Sequence, residues 1–443
     1  MPRAQLPVHG SGRADWGDVL RLGVAGLGLC MAACSNQEPV DDERTSLRYD
    51  REYPFIDYSN DDLDSRAAAL AEHLERGSVE LDYSAGQGYL SSLLAALDID
   101  PSSQLLVFSK TSLRVGGIEP ATPRALYFND DTYVAFVPSA EHLEIAAMDA
   151  KLGPTFFRLP QPLQAAPALE RETQRCLRCH DSYSLTGGGV PRFILGSGYT
   201  GTTGELVSHE AWILTQPSTP FTSRWGGWYV TGQHGEMRHL GNMVVADPMD
   251  LQDLESLRIG NLNDLTDLID TGPYLTPYSD IVALLVVEHQ VHVQNAMTRT
   301  SYDVQGILHE QSDADPAERI AAAVEPLVEA LFFVGETPLV DSVVSSSDFG
   351  RHFEARGPRD AEGRSLRDLQ LSERVFRHPL SYLIYSEAFD ALPPEVKRQL
   401  RVRVAEILDG KAADGFEHLT PSDRSTLRAI LAETKPELLN RAF

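Results

Sequence analysis

The sequence predicts an α+β fold, with an N-terminal mixed α/β or mostly β unit, an irregular glycine-rich middle and a helical C-terminal part. Three observations predict it. Between Gln104 and Leu159, short apolar runs are separated by turn residues such as Pro120, Asn129-Asp130-Asp131 and Gly153-Pro154, the pattern of short strands. Glycines at Gly187-Gly188-Gly189, from Gly196 to Gly204 and in Trp225-Gly226-Gly227-Trp228 imply turns and irregular backbone. From Asp280 onward the pattern is helical, and each stretch has proline at or near its start.

Taken in order, the chain opens on a leader. Arg3, Arg13 and Arg21 precede an apolar stretch from Leu22 to Ala33, long enough for a signal-peptide core and too short to span a bilayer. It ends in Met31-Ala32-Ala33-Cys34, which resembles a lipoprotein cleavage box. This predicts a signal peptide over 1–33, lipidation of Cys34 as the new N-terminus, and a polar tether over 34–49. An ordinary secretory signal or an uncut anchor are the alternatives. Ser35 after the cysteine favours the outer membrane by resemblance to lipoprotein sorting rules, so the expected location is the cell envelope, on the periplasmic side.

In the α/β unit, 50–167, short helices are expected from Asp61 to Arg76 and from Gly88 to Leu97. Strands follow at Gln104–Ser109, Ala125–Phe128, Tyr133–Val137, Leu143–Ala147 and Thr155–Leu159. Residues 168–250 form the glycine-rich region, and 251–443 the mostly helical one. There Asp280–Thr300 is the strongest helix, with Ser279 as its cap, followed by Pro316–Phe333, Pro393–Leu408 and Pro421–Glu433. The acidic run Asn261–Asp270 lacks the ligand spacing of a calcium loop and reads as a solvated helix.

Hydrophobic residues at 42% and charged residues at 23% are ordinary globular values. The net charge of −26 argues against nucleic acid or an acidic membrane surface as a partner. The chemistry concentrates at Cys176-Leu177-Arg178-Cys179-His180. Two thiols three residues apart share a helical face and can reach the two vinyl groups of a haem, and the imidazole that follows can reach its iron. With 4 Cys and 13 His in the chain, about 0.001 chance occurrences of this pattern are expected. A zinc knuckle would need a second cysteine pair, a thiol exchanger a buried strand before the pair, and a disulfide here would be strained. One covalent haem c is therefore expected, on Cys176 and Cys179, with His180 as proximal iron ligand.

The second axial ligand stays open. His239 and His234, among the glycines of 232–243, are the first candidates; His209 and Met249 after Pro248 are others. Bis-His ligation would lower the potential and Met would raise it. Glu288, His289 and His292 lie near one face of the long helix, as a haem wall, a relay, a metal site or an internal network.

Several segments resemble a family of exported bacterial c-type cytochrome-like proteins: Pro123–Asp130, Cys176–His180, Arg224–Asn242, Tyr274–Gln290 and Arg377–Ser386. The resemblance implies a haem c domain and says little about substrate. Where the family pattern has a second His after Glu-His-Gln, this chain has Gln294. The expected function is electron transfer outside the cytoplasm to a redox partner protein, with lipid attachment to a membrane. A peroxidase-like haem enzyme and a haem-based sensor or structural protein are the alternatives, and no catalytic residue is assigned.

Overall fold

The structure is a computed structural model that describes residues 53, 55–110, 117–182, 186–208, 212–310, 315–411 and 415–440. The leader, the tether, Cys34 and His209 lie outside the described residues. The fold is α+β, as expected from the sequence, and the described residues belong to one compact unit.

A six-stranded antiparallel meander organises the first half. Its strands are β1 (Leu105–Val107), β2 (Arg124–Phe128), β3 (Thr132–Phe136), β4 (His142–Asp149), β5 (Gly153–Pro160) and β6 (Glu170–Arg171), and each pairs with its sequence neighbour. Because side chains alternate along a strand, the sheet has two distinct faces. Ala125, Tyr127, Val134, Phe136, Leu143, Ile145, Phe157 and Leu159 are buried on one face. They pack in one cluster with helices α1 (Arg66–Glu75) and α2 (Leu90–Ala96). The other face carries Arg124 and Leu126, Tyr133 and Ala135, His142, Glu144 and Ala146, and Phe156 and Arg158, one set per strand. Arg171 in β6 belongs to a strand pair with β5, so the polar stretch before the cysteines is helical only from Gln174.

Helix α3 (Gln174–His180) follows directly. Its Leu177 is buried in a cluster with Phe156, Val190 and Tyr302, and Cys176 packs against the same cluster. Beyond it the described backbone is largely irregular, with Gly187, Gly188 and Gly189 all at positive φ and a short pair of strands, β7 (Gly196–Ser197) and β8 (Ile213–Leu214).

The second half centres on α4 (Ile281–His309), with α5 (Pro316–Leu331), α6 (Phe349–Ala355), α7 (Pro394–Leu408) and α8 (Pro421–Thr434) around it. Two details correct the expectation. Asp280, not Ser279, caps α4, accepting from the Val282 N–H, whereas the Ser279 hydroxyl donates to the Tyr229 carbonyl. The helix also runs past Thr300 to His309, because Tyr302 and Val304 continue its buried face. Asn261–Asp270 is a run of turns and not a helix, with Leu265 and Ile269 buried. Leu105, Phe128, Phe193, Trp225 and the apolar faces of α4, α5 and α7 share one core, so the three regions of the chain fold against one another. No helix among the described residues is long and apolar enough to cross a membrane.

Candidate functional site

A cavity of about 650 Å³ opens between the second face of the sheet and α3. Arg124, Leu126, Tyr133, Ala135, His142, Glu144, Ala146, Phe156 and Arg158 form its floor; Cys176, Cys179 and His180 line it from α3, and Phe193, Trp212, Trp228 and Val291 complete the walls. All three residues of the cysteine motif therefore face one space, which has the size and mainly apolar lining of a cofactor site.

The imidazole of His180 is held in one tautomer. Its Nδ1 lies 2.6 Å from the Arg192 carbonyl oxygen. A carbonyl only accepts, so Nδ1 carries the proton and Nε2 keeps its lone pair. The Arg192 N–H donates back to the His180 carbonyl at 2.9 Å, which makes the clamp two-point. The next residue, Phe193, exchanges two backbone hydrogen bonds with the Asn295 amide on α4, so α4 fixes the segment that orients His180. Underneath, the Phe156 ring packs at 4.5 Å. Burial lowers the His180 pKa to about 4, which keeps the ring in the neutral form that binds metals.

Cys176 and Cys179 are both free thiols, each partly buried. Burial first, and then the nearby Glu144 and Glu172 carboxylates, push the Cys176 thiol up to about 12. Cys179 is pushed up by burial. Both are protonated at neutral pH, the opposite of the thiolate that disulfide exchange or metal–thiolate binding requires.

The rim is charged. Arg158 bonds Glu170 at 2.7 Å and pairs with Glu172 at 3.1 Å. Arg124 is the poorly paired cation: Glu144 lies 3.7 Å from its Nη1, and its buried Nε has no hydrogen-bond partner.

The expected distal candidates lie elsewhere in the structure. His234 and His239 do not line the cavity; their Nε2 atoms meet each other at 3.2 Å. His239 Nδ1 accepts from the Gly241 N–H and His234 Nε2 accepts from the Asn261 N–H. The proton between the rings is thus on His239 Nε2. Burial, then His234, lowers the His239 pKa to about 3. Met249 is 63% exposed, and Met237 and Met243 are core residues.

Two polar residues of α4 bond within the interior. Glu288 accepts from Arg224 Nη1 at 2.7 Å and from Trp225 Nε1 at 3.0 Å. His289 lies between Glu336 (3.0 Å) and Ser381 (2.8 Å). That chain has the connectivity of a serine hydrolase triad, but Ser381 is fully buried, and its hydroxyl accepts from the Leu383 N–H at the start of a helical turn. Gln294 accepts from the Tyr133 hydroxyl and donates to the Asp130 carbonyl, a structural role in place of a metal ligand. Among the described residues, no group of three or more His, Cys, Asp or Glu could hold a metal ion.

Arg124, Tyr133, His142, Arg192 and Trp212 belong to the site without having been singled out in the sequence. For the strand residues a signal existed, since they sit at alternate positions to the buried ones; for the Arg192 carbonyl there was none. No protein-family model, no curated protein and no solved structure matches the chain.

Proposed function

We propose that the chain is a mono-haem c-type cytochrome that transfers electrons outside the cytoplasm. The observation that carries this reading is the convergence of Cys176, Cys179 and a tautomer-locked His180 on one cavity of about 650 Å³. A histidine that ligates a metal almost always donates its other ring N–H to a carbonyl or carboxylate, and the His180–Arg192 bond is that arrangement.

In this reading Cys176 and Cys179 would hold the haem through thioether bonds to its two vinyl groups, and His180 Nε2 would hold its iron. Arg124, lacking a full partner in the rim, would be available to pair with a propionate. Phe156, Phe193, Trp212 and Trp228 keep water from the macrocycle. Haem bound there supplies a one-electron couple whose potential is set by its ligands and burial. The leader supports export, where haem c is attached, and Cys34 supports a lipid anchor in the envelope. A redox partner protein completes the function.

The test is haem that survives denaturing electrophoresis. The exported wild-type protein should stain for haem, and the Cys176→Ala/Cys179→Ala variant should lose the stain entirely. A variant that keeps it would refute covalent attachment at these residues.

A further inference from the structure

The geometry points to His142 as the sixth ligand of the haem iron, an inference that rests on the haem reading above. Of the residues that line the cavity, His142 and His180 are the only imidazoles among the described residues, and neither Met nor Lys joins them. Several of the other oxygen and nitrogen groups are engaged or unsuited. Tyr133 donates to Gln294 and accepts from Gln290 through the same hydroxyl. Glu144 faces Arg124, and Glu172 faces Arg158 and Arg175. An arginine is a poor iron ligand because its guanidinium stays protonated.

Position along the sheet also separates the two imidazoles. On the floor of the cavity β4 presents His142, Glu144 and Ala146 in sequence, and Ala146 pairs with Phe156. The Phe156 ring is the one that His180 packs upon. His142 stands four residues away at the start of the strand, opposite Pro160, which is about 13 Å along an extended chain. The two rings therefore approach the same space from different elements and different ends. His180 is fixed by Arg192, whereas the His142 ring has no hydrogen-bond partner among the described residues, so its nitrogens are free to bind.

With two imidazoles the iron would be low-spin and saturated, which would leave outer-sphere electron transfer as its chemistry and close the site to peroxide. The experiment compares purified wild type with His142→Ala and His142→Met by absorption and electron paramagnetic resonance, with haem staining of each. Wild type should be low-spin and ignore carbon monoxide when reduced. His142→Ala should keep its covalent haem, turn high-spin, bind carbon monoxide, and return to low-spin when imidazole is added. His142→Met should remain low-spin at a raised potential. A His142→Ala protein that stains for haem and stays low-spin overturns the assignment while leaving the haem reading intact. High-spin wild-type haem overturns it equally. Wild type without covalent haem removes both.

Discussion

Among the described residues, Glu288 is buried with Arg224 and Trp225 as its hydrogen-bond partners, and that setting decides how it titrates. Burial outweighs the attraction of Arg224 and the hydrogen bond from Trp225, so its pKa rises from 4.5 to about 7. Between those values the native state keeps a proton that the unfolded chain has released. Stability contributed by this group is therefore complete below about pH 4.5 and is lost as the pH rises toward 7. Arg224 limits that loss. Removing it as Arg224→Met should cost about 3–5 kcal/mol at pH 8, where the buried carboxylate would lose its counter-charge. At pH 5, with Glu288 protonated in the native state, the cost should be clearly smaller. Urea unfolding at the two pH values measures the difference, and equal costs would contradict a titrating Glu288. None of this was readable from the sequence beyond the identity of Glu288 and its place on a helix. Its partner lies 64 positions away in the chain, and only the tertiary fold brings them together.

At the scale of elements, the strands were the most legible part, because alternation of apolar and mixed residues follows directly from the pleat. The same alternation held the cavity floor, hidden as the positions between the core residues. The cap of α4 was ambiguous in sequence, since Ser279 and Asp280 both have side chains that cap helices; the Ser279 hydroxyl is taken by Tyr229. Gly226 serves close backbone packing: a Cβ there would sit 2.7–2.9 Å from the backbone of Gly198, at a crossing where the Gly198 N–H donates to the Gly226 carbonyl. The same crossing seats Trp228, whose Nε1 donates to the Gly196 carbonyl in the cavity wall. Gly226→Ala should therefore destabilise the protein by about 1–3 kcal/mol. Gly201→Ala, with its nearest contacts at 3.6 Å, should change little. Thermal unfolding of both variants compares them, and equal midpoints would mean that the crossing tolerates a side chain.

For the whole molecule, the sequence conveyed the fold class and the order of its parts. It did not convey that those parts share one core, because long-range packing leaves no local period. The anchor belongs to this scale too. If Cys34 is lipidated, Cys34→Ala should move the protein from the membrane fraction to the soluble periplasmic fraction; a variant still held in membranes and uncut would contradict the lipoprotein reading. On the proposed electron-transfer reading, the net charge of −26 would steer a basic partner, with association that weakens with salt.

The cavity is assembled from pieces that emerge at different times. Its floor, both cysteines and His180 are complete once the chain has passed residue 180, whereas Trp212, Trp228 and Val291 come later. Under the haem assignment, attachment must catch the thiols after they have crossed the cytoplasmic membrane and before the later walls dock over them. The yield of loaded protein is then governed by a race between the attaching machinery and folding. A substitution that only hastens closure would lower that yield without touching a single residue that holds the haem.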